Sequence, residues 1–400
     1  MRLAATATVC IYLLYCCAGL TASASAGFSA AANLPASGDG DKPAGIHAVS
    51  AILYEVSAGT VLYERDADTP RPMASTTKLM TALLAAESGD LQRLVTVTAE
   101  AVRVEGSAVG LKAGDMLTLH DLLVGLLLSS GNDAANVIAC TLSGSLPAFA
   151  DRMNRRARAI GMTNSRFVTP SGLDAEGHAA SARDMALLGA EVLKHPVLEK
   201  ICSSRSMKIE IASASAPDSK RPVTLTNHNR LLSLYPDAVG LKTGFTKKSG
   251  RCLVSAARRD GVTLVAVTLN DGDDWDDHIT LFDYGFSQVE AVSIPPPELP
   301  ALPVAGGYRR EVTLNTQPPP AWVLPKGDGS KVTVSIELPR FILAPVVDDQ
   351  PVGQVRYLCK DEELAVIPIL TVSAVEARPV TAPKQRFRER MRELWKILYS

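Results

Sequence analysis

At 400 residues the chain is long enough for two domains, one of them with a full-sized core. Lys and Arg total 41 against 42 Asp and Glu, and a net charge of −1 gives no global electrostatic case for nucleic acid. A hydrophobic content of 46% excludes a disordered chain.

The N-terminus has the pattern of an export signal over residues 1–26. Arg2 supplies the positive flank, Leu3 to Leu20 the apolar run, and Ala22-Ser23-Ala24 or Ala24-Ser25-Ala26 the cleavage site. The bland alternative is a membrane anchor, since the run is close to the lower length limit, but the small residues after it favour cleavage. Cys10, Cys16 and Cys17 would leave with the signal. Cys140, Cys202, Cys252 and Cys359 are too widely spaced for a zinc site and too few for a disulfide-built fold. The six histidines form no metal-ligand spacing, so neither metal nor cofactor is expected.

Residues 27–44, rich in Ala, Gly, Ser and Asp, form a flexible lead-in. His47 to Val56 alternates as a strand, and Ser57-Ala58-Gly59 turns it into Thr60-Val61-Leu62-Tyr63, which predicts a hairpin. Pro70 and Pro72 then break the chain ahead of Ala74-Ser75-Thr76-Thr77-Lys78-Leu79-Met80, where a helix begins. Ser75 falls in its first turn and Lys78 three residues on, so both share one helix face. A serine hydroxyl needs a neighbour to take its proton, and a lysine can do so if burial or a second cation depresses its pKa. Taken alone, S-x-x-K is more often an N-cap serine ahead of a surface lysine.

Thr118-Leu119-His120-Asp121 resembles a capping box, opening a helix through Leu128 that is apolar nearly all round and therefore buried. Ser129-Ser130-Gly131-Asn132-Asp133 interrupts it before Ala134 to Ala139 resumes helical character. Such a polar knot must satisfy its own hydrogen bonds or face a cleft, and a self-capping turn would suffice. Phe167 to Ala190 holds Pro170-Ser171-Gly172-Leu173-Asp174 and a capped helix at Ser181-Ala182-Arg183-Asp184-Met185. Residues 203–222, rich in Ser, Ala and Lys, are expected to be irregular. Ala238 to Thr246, Arg251 to Ala257 and Val262 to Leu269 form a meander of three strands, turning at Lys248-Ser249-Gly250 and at Asp260-Gly261. Lys248-Ser249-Gly250 is itself a K-[ST]-G, but its turn position gives Ser and Gly an ordinary backbone role.

Residues 291–303 carry Pro295-Pro296-Pro297, Pro300 and Pro303 and read as a linker. Short alternating segments over 304–380 predict a small all-β domain. Residues 384–400 place Phe387, Met391, Leu394, Trp395 and Leu398 at helical spacing, with basic residues on the flanks. This predicts an amphipathic helix lying on a membrane surface, the alternative being a docked or self-associating helix.

Three elements now stand in order: Ser75-x-x-Lys78, Ser130-Gly131-Asn132 and Lys242-Thr243-Gly244. With their neighbours Leu127 to Ala135, Gly240 to Thr246 and Pro170 to Asp174, they resemble the D-alanyl-D-alanine carboxypeptidases, the low-molecular-mass penicillin-binding proteins. The resemblance is strong from about His47 to Gln288 and weaker beyond. It implies a three-layer α/β/α transpeptidase/β-lactamase-like domain with an antiparallel sheet over 45–290, exported to the outer face of the cytoplasmic membrane and the cell wall. The implied reaction removes the terminal D-Ala of peptidoglycan pentapeptides, with β-lactams as covalent inhibitors.

In that reading Ser75 attacks, Lys78 accepts its proton, and Ser130 relays a proton to the departing amine with Lys242 holding its electrostatics. Asn132 would hold the substrate amide, Thr243 and Lys242 the terminal carboxylate, and Gly244 would complete the substrate-binding strand. The resemblance assigns the oxyanion hole to the backbone N–H groups of Ser75 and Phe245. Phe245 stands where some relatives carry His, which leaves the backbone role intact. A D,D-endopeptidase fits the same residues. A β-lactamase would need a second base, usually a Glu in the Val168 to Gly177 loop, where Glu176 is off pattern. A non-catalytic wall-binding protein is disfavoured by three intact elements.

Overall fold

The computed structural model describes residues 43–379, together with 391, 392 and 395. The signal over 1–26, all but the end of the lead-in, and the amphipathic tail apart from those three residues lie outside the described residues. β1 (Ser50–Glu55) and β2 (Thr60–Arg65) form the first hairpin. A short 3-10 turn over Ala74–Thr77 then runs directly into α1 (Lys78–Ala86). β3 (Leu94–Thr96) and β4 (Asp115–Thr118) precede α2 (Leu119–Leu128), whose cap is the Thr118 hydroxyl accepting from the Asp121 N–H at 3.0 Å. The polar interruption ends at α3 (Asn132–Ser143), followed by α4 (Leu146–Ala159), α5 (Ala182–Leu193) and α6 (Pro196–Ser203).

Residues 203–222 are not irregular. β5 (Ser206–Ser213) and β6 (Ala216–Thr226) make a hairpin that extends β3 and β4 into a four-stranded sheet. Ile209 and Ile211 of β5 and Leu225 of β6 are buried, a period of two hidden among Ser, Ala and Lys. Pro217 and Pro222 argue against a central strand, and β6 is indeed an edge, where a missing N–H is tolerated.

After α7 (Leu231–Leu234) the meander forms as expected from β7 (Ala238–Thr246), β8 (Gly250–Arg259) and β9 (Val262–Leu269), with α8 (Asp274–Gln288) behind it. The main sheet has five strands in the order β2-β1-β9-β8-β7, each neighbouring pair antiparallel. Successive residues of its strands feed two different cores. Ile52, Val265 and Val267 pack with the helices α1 to α6, whereas Leu53, Leu264 and Ala266 pack with Leu281 and Phe282 of α8. A sheet apolar on both faces must be covered on both, which gives three layers.

β10 (Val289–Val292) and β11 (Leu302–Ala305) reach into both ends of the expected linker. β12 (Glu311–Val312), β13 (Leu314–Thr316), β14 (Trp322–Pro325), β15 (Val332–Glu337), β16 (Ile342–Leu343), β17 (Pro351–Cys359) and β18 (Glu362–Thr371) complete a separate β region. Its own core centres on Tyr357, Val355 and Ile369. Cys140, Cys202, Cys252 and Cys359 are all free thiols. Among the described residues no helix is long and apolar enough to cross a membrane.

Candidate active site

The 3-10 turn places Ser75 beside the start of α1, and Lys78, its first residue, is buried under the apolar helices. Lys78 Nζ lies 2.7 Å from Ser75 Oγ, 2.7 Å from Asn132 Oδ1 and 2.5 Å from the Ser171 carbonyl oxygen. Burial holds the Lys78 amine well below the ordinary lysine range, and the Lys242 cation pushes it further the same way, against a smaller opposing pull from Asp133. An amine kept from protonating, with a hydroxyl in contact, is the arrangement a lysine base requires.

The loop after α4 supplies the third contact. Gly172, at φ +85°, lies so close to the nucleophile turn that a Cβ there would stand 1.9 Å from the Ala74 carbonyl oxygen and 3.0 Å from the Ser75 nitrogen. The loop's closing residue, His178, is buried against Thr77, between the two catalytic candidates. The carboxylates of this loop, Asp174 and Glu176, are exposed, and Asp174 accepts from the Thr246 hydroxyl at 3.2 Å.

Asn132 is committed at both ends of its amide: Oδ1 accepts from Lys78, and Nδ2 donates to the Glu105 carbonyl at 2.7 Å. Asp133 beside it accepts from the backbone N–H groups of Val109, Gly110 and Leu111 at 2.9, 2.9 and 3.0 Å. The S-x-N element therefore anchors the 105–111 loop as well as the lysine. Ser130 sits at φ 55°, left-handed backbone that a non-glycine residue adopts at some cost.

β7 is an edge of the main sheet and brings Lys242, Thr243, Gly244 and Phe245 alongside the nucleophile turn. Residues paired across an antiparallel ladder present the same face. Lys242 pairs with Val254, which packs under the helices, so its side chain lies on that face near the fully buried Cys202. Its amine donates to the Thr243 carbonyl at 2.9 Å, and burial lowers its pKa to about 8. Among the described residues no hydrogen bond joins Lys242 to Ser130. Thr243 pairs with Leu253, which packs against α8, so Thr243 and Phe245 face the other way. Phe245 is 66% exposed. Gly244 brings β7 close: a Cβ there would be 3.0 Å from the Ser75 nitrogen.

These elements enclose an open cleft of 290 Å³, lined by Ser75, Ser130, Thr243, Gly244 and Phe245. Ser107, His228, Arg251, Asp274 and Trp275 line it too, and sequence patterns singled out none of them. No local periodicity carries that information, because β8, α8 and the two loops meet there only through the tertiary fold. Among the described residues no group of His, Cys, Asp and Glu is arranged to hold a metal ion.

Comparison with known proteins points the same way. The family described as D-alanyl-D-alanine carboxypeptidase is matched by residues 38–273, and the penicillin-binding protein 5 C-terminal domain by residues 299–377. D-alanyl-D-alanine carboxypeptidase DacF of Bacillus subtilis is 30% identical over 333 residues, covering 80% of this chain and 84% of the relative. DacC of Escherichia coli is 32% identical over 343 residues, covering 81% and 83%. Among solved structures, penicillin binding protein 5 from Haemophilus influenzae superposes with a TM-score of 0.64 at 26% identity, over 84% of this chain and all of that one. The Streptomyces K15 DD-transpeptidase superposes with a TM-score of 0.58 at 29% identity, over 60% of this chain and 98% of its own.

Proposed function

The chain belongs to the D-alanyl-D-alanine carboxypeptidase family, and from that premise we propose how its residues divide the work of a serine-type D,D-carboxypeptidase. Ser75 Oγ attacks the carbonyl carbon of the penultimate D-Ala of a peptidoglycan stem peptide while Lys78 Nζ takes the hydroxyl proton. The N–H groups of Ser75 and Phe245 hold the oxyanion, a contribution of about 3–4 kcal/mol for each donor. Ser130 passes a proton to the nitrogen of the terminal D-Ala, the C–N bond breaks, and the acyl group stays on Ser75 as an ester. Water then attacks the ester with Lys78 again as base, which restores the serine hydroxyl and releases the shortened peptide.

The observation that carries this reading is the three-way contact of Lys78 Nζ with Ser75 Oγ, Asn132 Oδ1 and the Ser171 carbonyl. It sets on the Ser75 hydroxyl an amine whose pKa burial and the Lys242 charge lower, with no carboxylate in contact among the described residues. Penicillins, whose strained amide presents the same carbonyl to Ser75, are covalent inhibitors in this scheme.

The finer parts of the reading rest on the sequence. Residues 1–26 direct export, 45–290 form the catalytic domain, 304–380 the β domain, and 384–400 bind the outer face of the cytoplasmic membrane as an amphipathic helix. Intact-mass analysis after penicillin treatment tests the centre of the scheme: one adduct on the wild type and none on Ser75→Ala. An adduct that persists in the variant would sink it.

A further inference from the structure

The β region carries a groove of its own, lined by none of the residues around Ser75. Arg309, Arg310, Glu311, Val312, Thr313 and Ser373 enclose an open volume of 560 Å³. Over residues 304–379 the chain has eight Lys and Arg against nine Asp and Glu, so two adjacent arginines here are a local feature. Arg309 Nη1 donates to Ser373 Oγ at 3.3 Å, which fixes one guanidinium in the lining and leaves the serine hydrogen free to donate. The Arg310 guanidinium makes no hydrogen bond or ion pair among the described residues, and neither arginine is paired with Glu311. Two exposed guanidiniums against one carboxylate leave the lining cationic.

The groove also sits where the chain leaves the β region. Ala377 bridges to Gly307, the Tyr308 N–H donates to the Glu376 carbonyl at 3.0 Å, and the Arg378 N–H to the Gly306 carbonyl at 2.8 Å. On this departing segment the exposed Arg378 offsets the exposed Glu376. Lys384 is six residues beyond Arg378, a reach of no more than about 20 Å even when fully extended. Any surface that holds residues 384–400 therefore lies close to this end of the β region. Tyr308 is 58% exposed, and Val372, next to Ser373, is 45% exposed. An aromatic ring with a polar tip, set beside arginines, suits a lipid–water interface. The tail itself is the wrong occupant, because its Arg386, Arg388 and Arg390 carry the same sign as the lining.

We propose that this groove takes the phosphate of an anionic lipid headgroup, an assignment that rests on 384–400 lying on the membrane as read above. The Arg309 and Arg310 guanidiniums are its charged donors, and the Thr313 and Ser373 hydroxyls its neutral ones. A planar guanidinium meets two phosphate oxygens at once, which an ammonium does not. The two attachments then act on one surface. The helix keeps headgroups at high local concentration, and the groove orients the β region against the bilayer.

Flotation of the full chain with vesicles of equal parts phosphatidylglycerol and phosphatidylcholine, against phosphatidylcholine alone, tests this. Arg309→Gln/Arg310→Gln should bind the anionic vesicles about ten- to thirtyfold more weakly than the wild type. Arg309→Lys/Arg310→Lys should recover part of the loss, since charge returns without the fork. Arg155→Gln/Arg158→Gln removes the same charge from two exposed positions of α4, and should bind like the wild type. Melting temperature and penicillin acylation should match the wild type in all three, which separates a weaker grip from a misfolded chain. Unchanged affinity in the Arg309/Arg310 glutamine pair overturns the groove. An equal loss in the α4 pair overturns it too, since net charge alone would then be at work. A loss as large on phosphatidylcholine alone overturns an anionic ligand. Release of the wild type by inorganic phosphate at constant ionic strength would assign the groove to a free anion and overturn the lipid. A chain that stays bound after removal of 384–400 overturns the surface-helix reading instead, and that truncation is scored separately.

Discussion

His178 donates through Nε2 to Thr77 Oγ1, 2.9 Å away, because the Val168 N–H already donates to Nδ1 at 2.9 Å. One backbone amide thereby fixes the tautomer of a histidine that ties the 168–178 loop to the nucleophile turn. Protonation would put a hydrogen on Nδ1 facing that N–H, and burial already lowers the His178 pKa to about 4. The ordinary value is 6.5, so between these limits the unfolded chain binds a proton that the folded one refuses. Stability is full above pH 6.5 and falls as the pH drops toward 4, by roughly 3 kcal/mol from this group. Urea unfolding at several pH values should show the wild type's advantage over His178→Gln shrinking as the pH falls through this window. An advantage constant from pH 7 to 4 would refute the account.

Lys242 and Lys78 are coupled through space. With the Lys242 cation gone, Lys78 is easier to protonate, so the acid limb of the acylation rate should move to higher pH in Lys242→Gln. The effect is felt below about pH 8, where Lys242 carries its charge. Stopped-flow acylation by a chromogenic penicillin across pH would show it. Superimposable acid limbs in wild type and variant would mean that the two amines do not sense each other.

Gly172 cannot accept a side chain. Gly172→Ala adds a left-handed alanine and drives a Cβ into the Ala74 carbonyl, at the turn that presents the Ser75 N–H. A stability loss of roughly 2–4 kcal/mol is expected, with acylation slowed at least about tenfold because the proposed oxyanion donor would be displaced. Gly177→Ala is the control. It shares a positive φ, +72°, but its Cβ would meet only the Arg166 side chain, at 3.4 Å, so its cost should be about 1–2 kcal/mol with acylation nearly intact. Equal effects at the two positions would show that backbone strain, not contact with the nucleophile turn, governs both.

Removal of residues 384–400 should release the protein from anionic vesicles, since in the proposed surface helix Phe387, Trp395 and Leu398 would supply the apolar stripe and the flanking Arg and Lys the attraction to lipid headgroups. Flotation with vesicles of anionic and of neutral lipid measures it. Unchanged binding after truncation would move membrane attachment elsewhere in the chain.

The parts of this fold that show in the sequence are those set by short-range rules. The Thr118 cap, the alternation of Val262 to Leu269 and the spacing of Ser75 and Lys78 each depend on residues within a turn or two. The β5–β6 hairpin escaped because its buried Ile209, Ile211 and Leu225 are spread among Ser, Ala and Lys, and which residues of such a stretch meet a core is a tertiary fact. Asn132 was legible as a cleft residue, but its ties to Lys78 and Glu105 needed the loop beside it. Arg251 and Trp275 have no motif at all. They line the cleft because β8 and the start of α8 come together at its mouth.

β1 lies between β2, its neighbour in sequence, and β9, which is synthesised only near the end of the catalytic region. A nascent or truncated chain that stops before Val262 would have its serine in the short 3-10 turn and its lysine at the start of α1, yet the central strand would lack one of its two partners. β7 would have no β8 anchored to β9 to hold it against the nucleophile. The long-range pairing must close before the chemistry can exist, so chemical competence arrives late in synthesis and all at once. Fragments ending short of that strand should be inert toward penicillin.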